Sequence, residues 1–464
     1  MNGCYRSKEE VLARAQGAVG KTFGELDVAG RLSRGGNKGG LGQVVEEGWF
    51  GLKPNSRAEY DFPEAKVELK VTPFIREKKG EIRAKERLVC NIIDYMEEAE
   101  KSDFFDSSFW KKCATMLIIP YEYRYGLPRD CFRIAAAFLH AFSNEDLAII
   151  EQDWAWIVGK IRAGKAHELS EAETDYLAAC PKGSSKRTVR PQPYSSELAM
   201  QRAYALKASY MTRVIRVALG KKPSPSLIRD RSALKGRFED YILETISPYL
   251  GWTQRALAEH LGVAMTGKDI RARLIAAIYG VKGRLSGTEE FQKANIYART
   301  LHFERAKKKT TSCDASAFRL KESLPLPAFR IAELLAEPTW EESEFQTLLR
   351  TQKFFFIVFK DGKDGEARLE QVFFWHMPEK DIAEAQKVWE RTRELIRKGV
   401  VLTQRKGGRQ GNNLPKLTEN PVAHVRPHCQ NATETDKLPD GRTITKQGFW
   451  LNNNYLMHVV EGER

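Results

Sequence analysis

No CxxC pair occurs among the seven cysteines, which stand at positions 4, 90, 113, 131, 180, 313 and 429. An odd count without paired spacing argues against a disulfide framework or a zinc ribbon, and a reducing cytoplasm is the expected compartment. No apolar run approaches the roughly 18 residues needed to cross a bilayer, so no membrane association is expected. The opening MNGCYRSKEEVLARA lacks an apolar core followed by a cleavage site, which argues against a secretory signal. Acidic residues are outnumbered: 61 against 75 basic, a net charge of +14. Hydrophobic residues make up 42% of the 464, enough for real cores, which excludes a largely disordered chain. That length favours two or three domains over one.

The positive charge speaks to partners more than to fold. Residues 181–222 hold ten basic side chains against the single acid Glu197, with Tyr194, Tyr204 and Tyr210 between them. Lys182, Lys186, Arg187 and Lys207 belong to this run, beside Pro181 and Gly183. Such a mixture suits neutralising phosphates and touching bases, although a solvated face has the same composition. Nucleic acid is the leading partner.

The stretch Gly220-Lys-Lys-Pro-Ser-Pro-Ser226 reads as a linker between residues 1–219 and 227–464. The halves echo each other in order. GQVVEEGWF (42–50), KVELKVTPF (66–74), AKERLV (84–89), SSFWKKCATMLIIPY (107–121), CPKGSS (180–185) and RAYALKASYMTR (202–213) come first. GRFEDYILE (236–244), ANIYARTLHF (294–303), LKESLP (320–325), ESEFQTLLRTQKFFFIVF (342–359), HVRPHCQNA (424–432) and KQGFWLNNNYLM (446–457) follow. Six weak pairs in one order suggest a duplicated fold. VELKV, ATMLIIPYEY and FFFIVF read as buried strands, and EDLAIIEQDWAWIVGKI and EKDIAEAQKVWERTRELIRKG as amphipathic helices. Both halves are therefore expected to be α/β.

The sharpest local signal is Asp61-Phe-Pro-Glu-Ala-Lys-Val-Glu68-Leu-Lys70. Val67, Leu69 and Val71 alternate with Glu68, Lys70 and Thr72, so both charged side chains leave one face of a short strand. Charges on an otherwise apolar strand need partners, and Asp61 can reach Glu68 from a preceding turn. Two carboxylates and an amine suit Mg²⁺-assisted phosphodiester hydrolysis, with the lysine orienting water and stabilising charge. An edge-strand ion pair is the plainer alternative. Adjacent Glu46 and Glu47 sit on the helix before this strand, where at most one faces inward. Lys112, just ahead of a strand, is placed to reach a phosphate; alone it reads as a surface lysine.

This arrangement resembles the PD-(D/E)xK nucleases, and in particular the MutH mismatch-repair endonucleases: a Gly-containing helix ending Trp49-Phe50-Gly51, then Asp61-Phe62, then Val67-Glu-Leu-Lys70. AVGKTFGEL (18–26), KERLVCNII (85–93), GKAHELSEAETDYLAAC (164–180) and ALKASYMT (205–212) make it similar to the Sau-three-A-type restriction endonucleases, which carry two MutH-like domains, the second without catalytic residues. The resemblance implies two tandem restriction-endonuclease-like domains, each a mixed central sheet flanked by helices. It implies Asp61 and Glu68 as metal ligands with the Leu69 carbonyl, Lys70 as the catalytic lysine, and Lys112 as the phosphate-facing lysine. One residue is inserted between Gly42 and Trp49, so the helix acid falls on Glu46 counted forward and on Glu47 counted back. It implies a type II enzyme cutting double-stranded DNA 5′ of the guanine in GATC. Tyr297 and Arg299 fall where Glu68 and Lys70 stand, and Glu290 where Asp61 stands, so the second half is expected not to cut. It keeps Arg426 and His428 in an Arg-Pro loop suited to a guanine edge or a phosphate. The second half is expected to bind a second site as an effector, and two chains are expected to gather on DNA. A strand-nicking repair nuclease and a non-catalytic DNA-binding protein are the alternatives.

Overall fold

A computed structural model describes residues 5–32, 40–52, 59–77, 80–183, 188–228, 234, 236–305, 318–404, 410–429, 431 and 433–462. Its contacts divide the chain into two compact units: Met1–Ile242 with Arg284–Ile296, and Leu243–Gly283 with Tyr297–Arg464. The expected cut at 220–226 thus does not coincide with this division. A short piece of the second half packs with the first unit.

In the first half the helices are α1 (Lys8–Gln16), α2 (Phe23–Leu26), α3 (Gly40–Gln43), α4 (Tyr95–Ala99), α5 (Ser108–Cys113), α6 (Asn144–Arg162) and α7 (Ala208–Ala218). The strands are β1 (Glu68–Arg76), β2 (Ile82–Ala84), β3 (Leu88–Ile92), β4 (Thr115–Glu122), β5 (Arg133–Ile134), β6 (Phe138–Ala141), β7 (Leu177–Pro181), β8 (Val189–Gln192), β9 (Ser195–Met200) and β10 (Arg202–Leu206). One sheet runs β2-β1-β4-β5, with β6 also on β4; a second runs β3-β10-β7. β1 and β4 are parallel, with Glu68 opposite Met116 and Lys70 opposite Ile118. Parallel strands are covered on both faces, which is why MLIIPY of β4 is buried throughout.

The second half repeats this plan. Its helices are α8 (Phe238–Ile246), α9 (Gln254–Leu261), α10 (Ile270–Ile278), α11 (Glu289–Lys293), α12 (Ile331–Ala336), α13 (Glu344–Thr351), α14 (Glu379–Lys398) and α15 (Asn453–Gly462). Its strands are β11 (Ile296–Arg305), β12 (Phe318–Leu320), β13 (Leu324–Ala328), β14 (Lys353–Asp361), β15 (Ala367–Trp375), β16 (Leu402–Gln404), β17 (Gln410–Asn412), β18 (Ala423–Pro427), β19 (Thr435–Lys437), β20 (Thr443–Thr445) and β21 (Gln447–Leu451). Sheet order β12-β11-β14-β15 answers β2-β1-β4-β5, and β13-β21-β18 answers β3-β10-β7. In both three-stranded sheets the central strand is antiparallel to its neighbours. The hairpins β8-β9 and β19-β20 fall at the same point in each order. One pairing from the sequence changes. By element order α8 and α9 answer α1 and α2, so α10, rather than GRFEDYILE of α8, answers the helix before β1.

The piece of the second half that joins the first unit is α11. Glu289 pairs with buried Arg213 at 2.8 Å, and Lys293 with buried Asp146 at 2.7 Å. The Ser209 hydroxyl donates to the Lys293 carbonyl at 2.7 Å. Removing residues 220–464 would strip both ion pairs from the first unit and leave Asp146 uncompensated, which is costly for a buried charge.

Where the resemblance implies one inserted residue, α3 runs on into a π-helical turn, Val44–Trp49. Such a turn absorbs a single extra residue without ending the helix, and π turns concentrate at functional sites. Trp49 anchors its end: the indole N–H donates to the Arg14 carbonyl at 2.8 Å, and the Arg14 guanidinium lies 3.9 Å from the ring centroid. Gly48 touches the Leu26 carbonyl where a Cβ would collide with main chain, so only glycine fits. Gly48→Ala should therefore lower stability by about 1–3 kcal/mol, read as a fall in thermal midpoint.

Candidate active site

Asp61 reaches the strand through a tight reversal. Phe62 and Val67 exchange main-chain hydrogen bonds of 3.0 and 3.3 Å around Pro63–Lys66, with Lys66 in the left-handed region at φ 52°. Phe62 is buried, edge-on to Phe50 and Tyr5, and this packing pins the turn. The Asp61 Oδ2 then accepts from the Leu69 amide at 2.8 Å. The spacing of Asp61 and Glu68 is thus the length of a hairpin turn plus the first residue of β1.

Glu68 is 3% exposed. Its Oε1 receives Lys70 Nζ at 2.9 Å and faces Lys112 Nζ at 3.6 Å. Its Oε2 is buried with no hydrogen-bond partner. A buried carboxylate oxygen left without a donor costs free energy unless a further cation completes it. Lys112 arrives at the C-terminal end of α5, whose N-cap Ser107 accepts from the Trp110 amide at 3.0 Å. Lys70 also donates to the Cys90 carbonyl at 3.3 Å. Burial works against the Lys70 charge, but neighbouring Cys113 and Glu68 outweigh it and hold the ammonium above its ordinary range. Burial raises Glu68, with Lys70 opposing and Asp61 adding to the rise.

The two adjacent acids have different surroundings. Glu47 turns to Arg31, whose guanidinium grips both its oxygens, while Arg31 also donates to Gln43 at 3.1 Å. Burial, then Asp61, Glu47 and Glu68, push the Glu46 carboxyl up to about 7. Arg31 gave no signal in the sequence, because its partner lies sixteen residues away across residues without a pattern.

Asp61 and Glu68 thus lie at the start of one strand with two lysines on Glu68, and carboxylate oxygens are the donors a hard divalent cation takes. Among the described residues no group of three or more His, Cys, Asp or Glu side chains is gathered closely enough to cage a metal alone.

The predicted DNA-contacting residues divide. Pro181 ends β7, and Lys182 and Gly183 are exposed just beyond it, with the Lys182 amide and carbonyl held by Gln201 at 2.9 and 3.1 Å. Lys186 and Arg187 lie outside the described residues. Tyr204 and Lys207 do not fit the expectation. Tyr204 is 0% exposed in the central strand β10 and packs on Phe109; Lys207 is 5% exposed and its ammonium is spent on the Thr174 carbonyl. Neither side chain offers a surface to DNA. In the second unit Arg426 is exposed at the end of β18, its guanidinium 5.0 Å from the Trp450 ring, with the His428 ring 5.7 Å from the same indole.

The family model for the DNA mismatch repair enzyme MutH matches residues 50–153, which include Asp61, Glu68, Lys70 and Lys112. The chain is 36% identical to the type II restriction enzyme Sau3AI of Staphylococcus aureus, over 98% of this chain and 99% of that protein. It belongs to that family of type II restriction endonucleases. The DNA mismatch repair proteins MutH of Shewanella woodyi and Serratia proteamaculans are 28% and 25% identical, covering 46% and 44% of this chain and 92% and 90% of theirs. A Sau3AI-like enzyme of this kind is a two-domain endonuclease acting on DNA, with about half its length alignable to the shorter repair proteins. No helix among the described residues is long and apolar enough to cross a membrane.

Glu46 carries its proton below about pH 7, and a divalent cation held by Asp61 and Glu68 would bind more tightly once that proton leaves and Glu46 adds its negative charge. The metal concentration giving half-maximal cleavage should therefore fall as pH rises from 6 to 7, by up to about tenfold per unit for one proton, and level off above. Glu46→Gln should flatten that dependence; an unchanged profile would remove Glu46 from the site.

Proposed function

We propose that this endonuclease cuts both strands of DNA at GATC, 5′ of the guanine, using Mg²⁺ at Asp61 and Glu68 of the first repeat. The observation that carries the reading is the Glu68 carboxylate: buried, one oxygen shared by two lysines, the other without a partner. Asp61, Glu68 and the Leu69 carbonyl would hold the ion, and Glu46 would add negative charge nearby. The ion, when bound, supplies positive charge against the scissile phosphate and lowers the pKa of a water.

The chain's own groups do the rest. Lys70, held protonated beside Glu68, orients the attacking water and offers charge to the phosphate as it becomes more negative. A protonated amine is no general base, so the lysine positions and stabilises. Lys112, 3.6 Å from the same carboxylate oxygen, would offer its charge to a phosphate oxygen of the bound DNA. Glu47, committed to Arg31, shapes the π-helical turn and takes no part in the chemistry.

The second repeat is proposed to bind a second GATC site as an effector, with Arg426 and His428 at the end of β18 toward the DNA. Exposure of Arg426 beside Trp450 supports this role, since a stacked guanidinium is oriented for two bonds to a guanine edge. One catalytic set per chain then implies that two chains meet on DNA, or that one chain nicks twice.

Purified protein mixed with unmethylated GATC plasmid and Mg²⁺ should produce double-strand breaks, and Lys70→Ala should slow them at least about 100-fold while binding persists. Nicks alone would favour a repair-type enzyme, and binding without cleavage a non-catalytic protein. Arg426→Ala should weaken binding to a GATC duplex by about 1–3 kcal/mol more than to random DNA. Equal losses on both would make Arg426 a phosphate contact. Point substitutions serve better than truncation here, because truncation also removes the α11 ion pairs.

A further inference from the structure

In the second repeat, β11 carries Tyr297 and Arg299 where β1 carries Glu68 and Lys70. The formal charge of the pair changes from −1 + 1 = 0 to 0 + 1 = +1. The remaining acid by order, Glu290, is buried and fully engaged. Its Oε2 accepts from the Leu227 amide at 2.9 Å, and its Oε1 from the Ile228 amide at 3.2 Å and the Ser226 hydroxyl. Among the described residues, the counterpart positions on this strand carry no acid, and Glu290 is held by residues 226–228.

What replaces it is ordered. The Arg299 guanidinium lies 3.4 Å from the centroid of the Tyr297 ring. Stacking on an aromatic face holds a planar fork of donors that never loses its proton, the geometry that suits phosphate oxygens. On the other sheet of the same unit, the His428 amide donates to the Lys446 carbonyl at 2.8 Å. Burial lowers the His428 pKa, and Lys446 and Arg299 push it the same way, so the imidazole lies within the field of both cations.

We infer that the Tyr297–Arg299 pair is a phosphate clamp that works without metal, occupying the position of the vanished cleavage site. The inference rests on the reading that the second repeat binds DNA, and says how. In the first repeat a phosphate approaching Asp61 and Glu68 is repelled until a divalent cation intervenes. In the second, a fixed guanidinium makes the attraction permanent and leaves nothing to activate water. The second repeat therefore grips DNA before, and independently of, the cation that the first repeat needs to cut it.

The test uses the full-length chain with Lys70→Ala, which prevents cleavage, and a labelled GATC duplex titrated in EDTA and in Mg²⁺ over a range of salt. The clamp predicts a bound duplex in EDTA. Adding Arg299→Gln should weaken that complex and reduce the slope of log affinity against log salt by about one, the share of one phosphate contact. Arg299→Lys should keep the slope while binding more weakly, because the charge stays and the fork is lost; it also carries the test should Arg299→Gln unfold. Binding in EDTA with unaltered affinity and slope in Arg299→Gln, while Arg426→Ala abolishes it, overturns the clamp and spares the effector reading. Binding insensitive to both substitutions overturns the effector reading itself.

Discussion

Burying an ionised carboxylate costs several kcal/mol unless charge and hydrogen bonds are returned to it, and Glu68 receives them on one oxygen only. The first unit is built to sustain that condition. The hairpin at Phe62–Val67 brings Asp61 back to the Leu69 amide, α5 delivers Lys112, and Arg31 engages Glu47 on the π-helical turn. Acids and lysines held in this frustrated balance are poised for a divalent cation, and the same imbalance keeps Lys70 charged. The clustering of three acids is tolerable because one of them, Glu46, is raised far enough to remain partly protonated near neutral pH.

The second repeat shows the same frame with the tension removed. Sheet orders and hairpins recur element by element, yet the β11 positions carry a stacked Tyr297–Arg299 pair, and Glu290 is turned into a structural anchor for residues 226–228. The two repeats share one frame and differ at a few side chains on the corresponding strands β1 and β11. The α11 segment ties the repeats into one chain economy: its Glu289 and Lys293 complete ion pairs inside the first unit.

How far the sequence went follows from how local each feature is. Glu68 and Lys70 share a face because strand alternation fixes it, and Asp61 lies one hairpin turn away, so the core of the site was legible over ten residues. The duplicated order was legible for the same reason, through short strands and long amphipathic helices. The choice of Glu46 over Glu47 was not, since it depends on a π-helical turn and on Arg31, which no periodicity links to it. Tyr204 and Lys207 misled because a basic, aromatic composition says nothing of burial. Both belong to or directly follow β10, a strand covered on both faces, where Lys207 serves the Thr174 carbonyl. The helix before β11 was misassigned because α8 matches the 42–50 segment in composition, whereas order in the fold points to α10.

The account stands on where a divalent ion sits, and crystals of the full chain soaked in Mn²⁺ answer that through anomalous scattering. A peak bounded by the carboxylates of Asp61 and Glu68, with none beside Tyr297 and Arg299, is the predicted result. An ion bound elsewhere in the first unit, or a second one at Arg299, would contradict it.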